Sequence, residues 1–166
     1  MRASPRRVVS ACAATLLVLA GGSGAAAAPP TLSAAQPVPA LLTNIRAGSH
    51  PGFDRIVLDL VGPVPQVSHR FADELIADAS GDVVWLTGVR FVQVSAHPAA
   101  AHDDRGAPAY PRPWKFRTWR LANVMAVAII GDNEAQLSLG LGLRHDAPVM
   151  VSTLDSPTRV VIDVGH

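Results

Sequence analysis

Apolar and polar residues alternate with a period of two along much of the chain. The clearest case is residues 136–143, in which four leucines alternate with polar residues or glycine: Leu137, Leu139, Leu141 and Leu143 against Gln136, Ser138, Gly140 and Gly142. The segment 55–60 repeats the pattern, with Ile56, Leu58 and Leu60 on one side. Successive side chains of a strand point to opposite faces, so the alternation predicts half-buried β-strands.

Further strands are predicted at residues 43–46, 67–76, 83–86, 90–96 and 149–154, separated by turn-forming residues. The nearly all-apolar segment 124–130 is interpreted as a central strand buried on both faces, with a short buried helix as the alternative. Eight or nine short strands predict an all-β fold, a β-sandwich or a small barrel, because an open sheet of that size would expose an apolar face.

Two similar phrases, DRIVLDL at 54–60 and TRVVIDV at 158–164, lie about a hundred residues apart. Each places an arginine and an aspartate on one face of a strand. If the two strands pair antiparallel, Arg55 faces Asp163 and Arg159 faces Asp59, and two cross-strand ion pairs result. The alternative is that each strand has the same role in one of two pseudo-symmetric sheets.

The first 28 residues have the pattern of a secretory signal peptide. A basic start with Arg2, Arg6 and Arg7 precedes an apolar run at 8–20 and an Ala-rich cleavage pattern at 26–28. That run is shorter than the roughly 20 residues of a membrane-spanning helix, so a stable membrane span is not expected. Residues 29–40 read as a flexible Pro/Ala-rich tether, and 41–166 as one β-domain, secreted or held in the cell envelope.

Removal of the signal peptide changes the charge and the cysteine count. The 14 basic residues fall to 11 against 13 acidic ones, which gives the mature chain a net charge of −2, and Cys12 is lost. A net-acidic chain without a basic run does not indicate nucleic-acid binding. The mature domain also has no thiol for a disulfide or a thiolate metal site.

Blocks of residues in order along the chain resemble a known family, the AMIN-like domain of secreted actinobacterial proteins. They are residues 50–55, 102–103, 106, 110–111, 131–132, 140–143, 157–163 and 166. The two Arg–Asp phrases are also similar to strands of the AMIN domains of cell-wall amidases and secretin channels. The resemblance, which spans about 43–166, implies a β-rich envelope domain associated with peptidoglycan, and it brings no catalytic activity. Asn133 stands where an aromatic residue commonly follows in the family.

Residues 97–119 form a long segment without a clear period, rich in proline and aromatic residues. Such loops are usually functional or disordered, and the aromatic content argues against disorder. We expect Tyr110 and Trp114 to offer flat faces to a sugar chain, and Arg112 to reach its carboxylates together with Lys115 and Arg117. Trp119 is expected mainly to pack against the domain.

His102 and Asp103 complete the candidate ligand-binding set of Tyr110, Arg112 and Trp114. An imidazole beside carboxylates suits a metal ion, yet no ligand spacing is present, so neither a metal nor another cofactor is predicted. The favoured interpretation is structural: Asp103 or Asp104 caps a turn that ends at Gly106, and His102 bonds a backbone carbonyl.

The sequence therefore favours an exported, non-catalytic domain that binds a cell-envelope component, either peptidoglycan or an envelope protein partner. No catalytic residue is assigned: there is no G-x-S-x-G motif, and Ser138 lies inside a predicted strand. The alternative is a small envelope hydrolase that uses the loop at 97–119.

Overall fold

The computed structural model describes residues 37–166, which contain ten β-strands in two five-stranded sheets. The predicted signal peptide and most of the predicted tether lie outside this range. The strands are β1 Ala40–His50, β2 Phe53–Val61, β3 Gln66–Ala72, β4 Arg90–His97, β5 Ala99–Ala100, β6 Lys115–Arg117, β7 Val124–Asn133, β8 Gln136–Leu143, β9 Val149–Asp155 and β10 Thr158–Gly165. No helix forms between residues 37 and 166, which confirms the all-β prediction.

Sheet 1 has the order β5-β1-β2-β10-β9, and sheet 2 has the order β3-β4-β8-β7-β6. Apolar side chains from both sheets meet in one main core, and its largest fully buried members include Leu42, Ile56, Leu139 and Ile162. The predicted β-sandwich is therefore the observed arrangement, with ten strands where eight or nine were expected.

The two similar phrases lie on adjacent antiparallel strands, β2 and β10, with Arg55 opposite Asp163 and Asp59 opposite Arg159. The predicted register is confirmed. Arg55 donates to Asp163 through two bonds, Nε–Oδ1 and Nη2–Oδ2, each 2.7 Å long. Because the strands are neighbours within sheet 1, the pseudo-symmetric alternative is wrong.

The second predicted ion pair does not form. Asp59 instead accepts two hydrogen bonds from Arg46 on β1, at 2.8 and 2.6 Å, while Arg159 donates to the carbonyl of Pro157. Strand β2 lies between β1 and β10, so Asp59 has a cation on each side. The bonds from Arg46 hold the pKa of Asp59 below its usual value and raise the pKa of Arg46.

The segment between β3 and β4, residues 73–89, covers the outer face of sheet 2. Leu75, Val84 and Leu86 pack there against Ala128 and Ile130 of β7 and form a second, smaller core. Strand β7 is therefore buried on both faces, as predicted for 124–130. The strand predicted at 83–86 is wrong, since Val83 makes only a single bridge to Ile76.

Two glycines of β8 let this covering segment approach the sheet. A Cβ at Gly142 would lie 2.1 Å from the carbonyl oxygen of Thr87, and one at Gly140 would lie 2.5 Å from Leu75 Cδ1. The two faces of β8 therefore differ in role. Its leucines fill the main core on the inner face, and its glycines leave room on the outer face for residues 73–89 to pack closely.

Candidate functional site

The segment predicted to be a long loop, residues 97–119, contains two short strands. Strand β5 extends sheet 1, and the three-residue β6 forms one edge of sheet 2 beside β7. Trp114 immediately precedes β6, and Trp119 follows it by two residues. The segment therefore places Trp114 and Trp119 along the edge of a sheet.

An open groove with a volume of about 480 Å³ lies beside β6, between this strand and the segment that covers the outer face of sheet 2. Trp85 and Trp119 line it and are 81% and 79% exposed. Lys115 and Arg117 of β6 also line this surface, and the small side chain of Ala126 on β7 leaves room at its base. We call this feature the tryptophan groove.

Specific contacts hold the groove side chains in place. The Arg117 guanidinium lies over the Trp119 ring, with Cζ 5.0 Å from the ring centroid. Lys115 Nζ donates to the Trp85 carbonyl oxygen at 3.1 Å, which links β6 to the segment that covers sheet 2. None of the ion pairs found among residues 37–166 includes Lys115 or Arg117.

Trp114 and Arg112, two of the predicted binding residues, lie near this groove but do not line it. Trp114 is 48% exposed, and its carbonyl oxygen accepts a hydrogen bond from Ile129 N at 2.7 Å. Arg112 borders a smaller cavity of about 270 Å³ together with Tyr110 and Phe116. Both side chains therefore remain accessible to a ligand.

The structure reverses the expected positions of Tyr110 and Trp119. Tyr110 is only 2% exposed and belongs to the main core, and burial raises the pKa of its hydroxyl. Tyr110 N and Ala109 N both donate to the carbonyl of Ala101, which folds the segment back and turns the ring inward. The expectations of a solvent-facing Tyr110 and a packed Trp119 are wrong.

His102 lies beside a carboxylate, not the backbone carbonyl that was expected. Its Nδ1 is 2.7 Å from Oδ2 of Asp132, whose side chain is only 3% exposed and whose Oδ1 accepts a bond from Ala101 N at 2.9 Å. The pair connects the segment after β5 to the end of β7. His102 does not line the tryptophan groove.

Asp103 caps a tight turn, as predicted. Its Oδ1 accepts bonds from Arg105 N at 3.0 Å and Ala107 N at 2.8 Å, and Gly106 has a φ of 79°. Both carboxylate contacts are local, which is typical of an Asx turn. Among residues 37–166, no three His, Cys, Asp or Glu side chains lie close enough together to hold one metal ion.

A second polar site, which the sequence did not reveal, is fully buried at the start of β2. The Asp54 carboxylate accepts bonds from three consecutive backbone N–H groups, Ala122 at 3.1 Å, Asn123 at 2.6 Å and Val124 at 2.9 Å. The only sequence signal was its place in the block 50–55. Since all three donors precede or begin β7, this site fixes the path of the chain from residues 97–119 into β7 and the core.

Asn123 extends the same network with its side chain. Its Nδ2 donates to the Gly165 carbonyl at 2.8 Å, and its Oδ1 accepts bonds from Arg144 N and His145 N at 3.0 and 3.1 Å. We call Asp54 and Asn123 the buried junction, because they join the starts of β2 and β7 to the ends of β8 and β10.

Over residues 40–166 the chain matches the family model of the AMIN-like domain. The chain belongs to the AMIN-like family. An AMIN-like domain is an envelope-associated module of the peptidoglycan-binding type and is typically extracytoplasmic. Comparison with curated proteins and with solved structures gave no match. None of the described residues forms a helix able to cross a membrane.

Proposed function

We propose that this AMIN-like domain is exported by its N-terminal signal peptide and binds peptidoglycan non-catalytically through the tryptophan groove. The observation that carries the proposal is a pair of highly exposed tryptophans, Trp85 and Trp119, beside two cations, Lys115 and Arg117, that have no ion-pair partner among residues 37–166. Exposed tryptophan surface is costly in water, and a cluster of it on an otherwise polar surface is typical of a binding site.

The chemistry of the groove suits an anionic sugar polymer. The C–H faces of sugar rings are apolar and can cover the indole rings, which removes apolar area from water. Lys115 and Arg117 can donate to carboxylates of the polymer, and an Arg or Lys bond to a carboxylate is stronger than a neutral hydrogen bond. Because the mature chain carries a net charge of −2, attraction to an anionic wall must be local.

The binding set of this proposal differs from the one predicted from the sequence. Trp85 and Trp119 become the main anchors, Trp114 and Arg112 extend the contact at one end, and Tyr110 supports the segment from inside. His102 and Asp103 shape the loop through Asp132 and the turn at Gly106. The alternative function, a small hydrolase that uses residues 97–119, stays a prediction.

The proposal is tested by co-sedimentation of the mature domain with purified cell-wall sacculi. Trp85→Ala and Trp119→Ala are each expected to weaken binding about tenfold or more, the range of an aromatic hot spot. Both side chains are largely exposed, so the melting temperature should hardly change. Phe71→Ala is the matched control, because Phe71 is an exposed aromatic residue on β3, at the opposite edge of sheet 2.

If both tryptophan variants bind sacculi as tightly as the wild-type domain does, the groove is not the binding site. No binding by the wild-type domain would refute peptidoglycan as the ligand. Soluble fragments released from the sacculi by the wild-type domain, absent with heat-denatured protein, would favour the hydrolase alternative.

A further inference from the structure

Strand β6 has a backbone edge that faces away from its sheet. Ile129 N donates to the Trp114 carbonyl at 2.7 Å, and Thr118 N donates to the Met125 carbonyl at 3.0 Å. In an antiparallel ladder, residues alternate between bonding to the partner strand and facing away from it. Trp114, Phe116 and Thr118 therefore face β7.

The two residues between them, Lys115 and Arg117, point their backbone N–H and C=O groups outward. Neither residue has a backbone hydrogen-bond partner on that side within the described part of the chain. Four adjacent backbone groups at this spacing can pair with one added strand. Pro113, two residues earlier, has no N–H, which ends the ladder on that side.

The side chains of β6 alternate between two surfaces. Lys115 and Arg117 line the tryptophan groove. Phe116, which packs against the main core, reaches the groove as well and also borders two open cavities next to β1, each of about 270 Å³, one of them shared with Arg117. Ile45 lines one of these cavities and Ala47 lines the other. An added strand would thus find cations on the groove side and, on the other side, a mostly apolar surface that also carries Arg112 and Arg120.

Charge indicates what kind of strand fits. Arg112, Lys115, Arg117 and Arg120 lie within nine residues, and no acidic residue occurs between Asp104 and Asp132. None of these four cations takes part in an ion pair found in residues 37–166. A second copy of β6 would place cation against cation, which is destabilising across a strand pair.

We propose that β6 binds an extended acidic segment of a partner protein, which adds to sheet 2 as an antiparallel strand. Two acidic side chains, two residues apart, lie opposite Lys115 and Arg117, and the residue between them places an apolar side chain beside Phe116. This protein ligand is a second one, beyond the proposed binding of peptidoglycan by the tryptophan groove.

The probe is a synthetic peptide with blocked ends, Ser-Thr-Glu-Val-Glu-Thr-Ser, titrated into the mature domain and followed by NMR. We expect saturable shifts at the Lys115 and Arg117 amides and slower hydrogen exchange of both when the peptide is bound. The peptide with lysine in place of both glutamates should not bind. Methylation of both glutamate nitrogens should abolish binding, whereas methylation of the valine nitrogen, which faces away from β6, should leave it intact.

On the protein, Arg117→Pro removes one outward N–H without removing a bond to β7. It should weaken peptide binding at least tenfold, and Arg117→Gln, which removes only the charge, should weaken it about threefold. If the proline variant does not fold, the two methylated peptides make the same test on the wild-type domain. Trp85→Ala should reduce sacculus binding and leave peptide binding unchanged, which separates the two ligands.

The proposal is overturned if the acidic peptide does not bind at millimolar concentration. It is also overturned if both methylated peptides bind alike, or if Arg117→Pro binds as well as Arg117→Gln. The proposal is likewise overturned if the domain dimerises through β6, as shown by a dimer in sedimentation that is lost in Arg117→Pro. The strand that pairs with β6 would then belong to a second copy of the domain.

Discussion

The buried junction and the tryptophan groove use polar and aromatic groups in opposite ways. At the junction, the Asp54 carboxylate is fully buried and is satisfied by three N–H groups. At the groove, Trp85 and Trp119 are exposed, and Lys115 and Arg117 have no carboxylate partner within residues 37–166. The two regions meet at one point of the sequence, since the last groove residue is Trp119 and the first backbone donor of the junction is Ala122.

This difference separates residues that hold the fold from residues that are free to bind. A buried carboxylate that loses a donor pays its full desolvation cost, so the junction tolerates little change. An exposed indole can be removed at small cost to stability. The comparison therefore predicts that substitutions at the junction change stability, and that substitutions at the groove change binding.

The largest effect on stability is expected for Asp54→Ala. It leaves three backbone N–H groups without their acceptor in the core, and we expect a loss of about 3 kcal/mol or more in the free energy of unfolding, measured by urea denaturation. Asp155→Ala, at an exposed position of β9, is the matched control and should change stability by less than about 0.5 kcal/mol. A loss at Asp54 as small as that of the control would contradict the role of the junction.

Gly142→Ala is expected to have the next largest effect, because its Cβ would lie 2.1 Å from the Thr87 carbonyl oxygen. We expect a loss of about 1–3 kcal/mol, as for other overpacked sites. The segment that carries Trp85 should also shift, which would weaken sacculus binding. Gly48→Ala is the control, since the nearest atom to its Cβ, His50 Nε2, is 3.9 Å away; equal stability of the two variants would argue against close packing of this segment.

A smaller effect is expected at the ion pair between β2 and β10. Arg55 and Asp163 form a bidentate pair that is partly exposed, so a double-mutant cycle with alanine should give a coupling of about 0.5–1 kcal/mol. Exchange of the two charges, Arg55→Asp with Asp163→Arg, should restore part of the stability lost in either single variant. Strictly additive losses would show that the pair contributes nothing beyond its separate residues.

The smallest effect concerns the pH dependence of Asp59. Because Arg46 lowers the pKa of Asp59 in the folded state, the ionised carboxylate stabilises the fold above about pH 4, the usual value for an unfolded aspartate. This contribution is lost as the pH falls through the lowered pKa. The stability difference between the wild type and Asp59→Asn should therefore be below about 1 kcal/mol at pH 7 and should shrink toward pH 2. If the stability difference between the two proteins grows on acidification, the pKa of Asp59 is not lowered in the folded state.

Local patterns were enough to predict most of the longer strands and one long-range pairing, but they missed β5 and β6 and placed a strand at 83–86, where Val83 forms only a bridge. Alternation predicted β2 and β8, and the similar phrase at 158–164, with its opposite charges at equal spacing, predicted the register that β2 and β10 take when they pair antiparallel. The prediction of a second ion pair, between Asp59 and Arg159, was wrong because Asp59 pairs instead with Arg46 on β1. Nothing in the local sequence shows which of two neighbouring strands supplies the partner.

The candidate site was harder to predict, because exposure depends on contacts between distant segments. Tyr110 and Trp119 are both aromatic residues in an irregular, proline-rich segment, yet one is buried and the other exposed. Trp85 was missed because it lies 34 residues before Trp119 in the sequence, on a segment predicted to be a strand. The glycines at 140 and 142 were the available signal that another segment approaches β8 closely.

The most direct test of the tryptophan groove follows the indole N–H signals of the three tryptophans by NMR during titration with solubilised peptidoglycan fragments. We expect large, saturable shifts for Trp85 and Trp119, a smaller shift for Trp114, and little change in the backbone amides of the buried junction. If the indole signals of Trp85 and Trp119 do not move while the fragments bind elsewhere on the domain, the groove is not the peptidoglycan site.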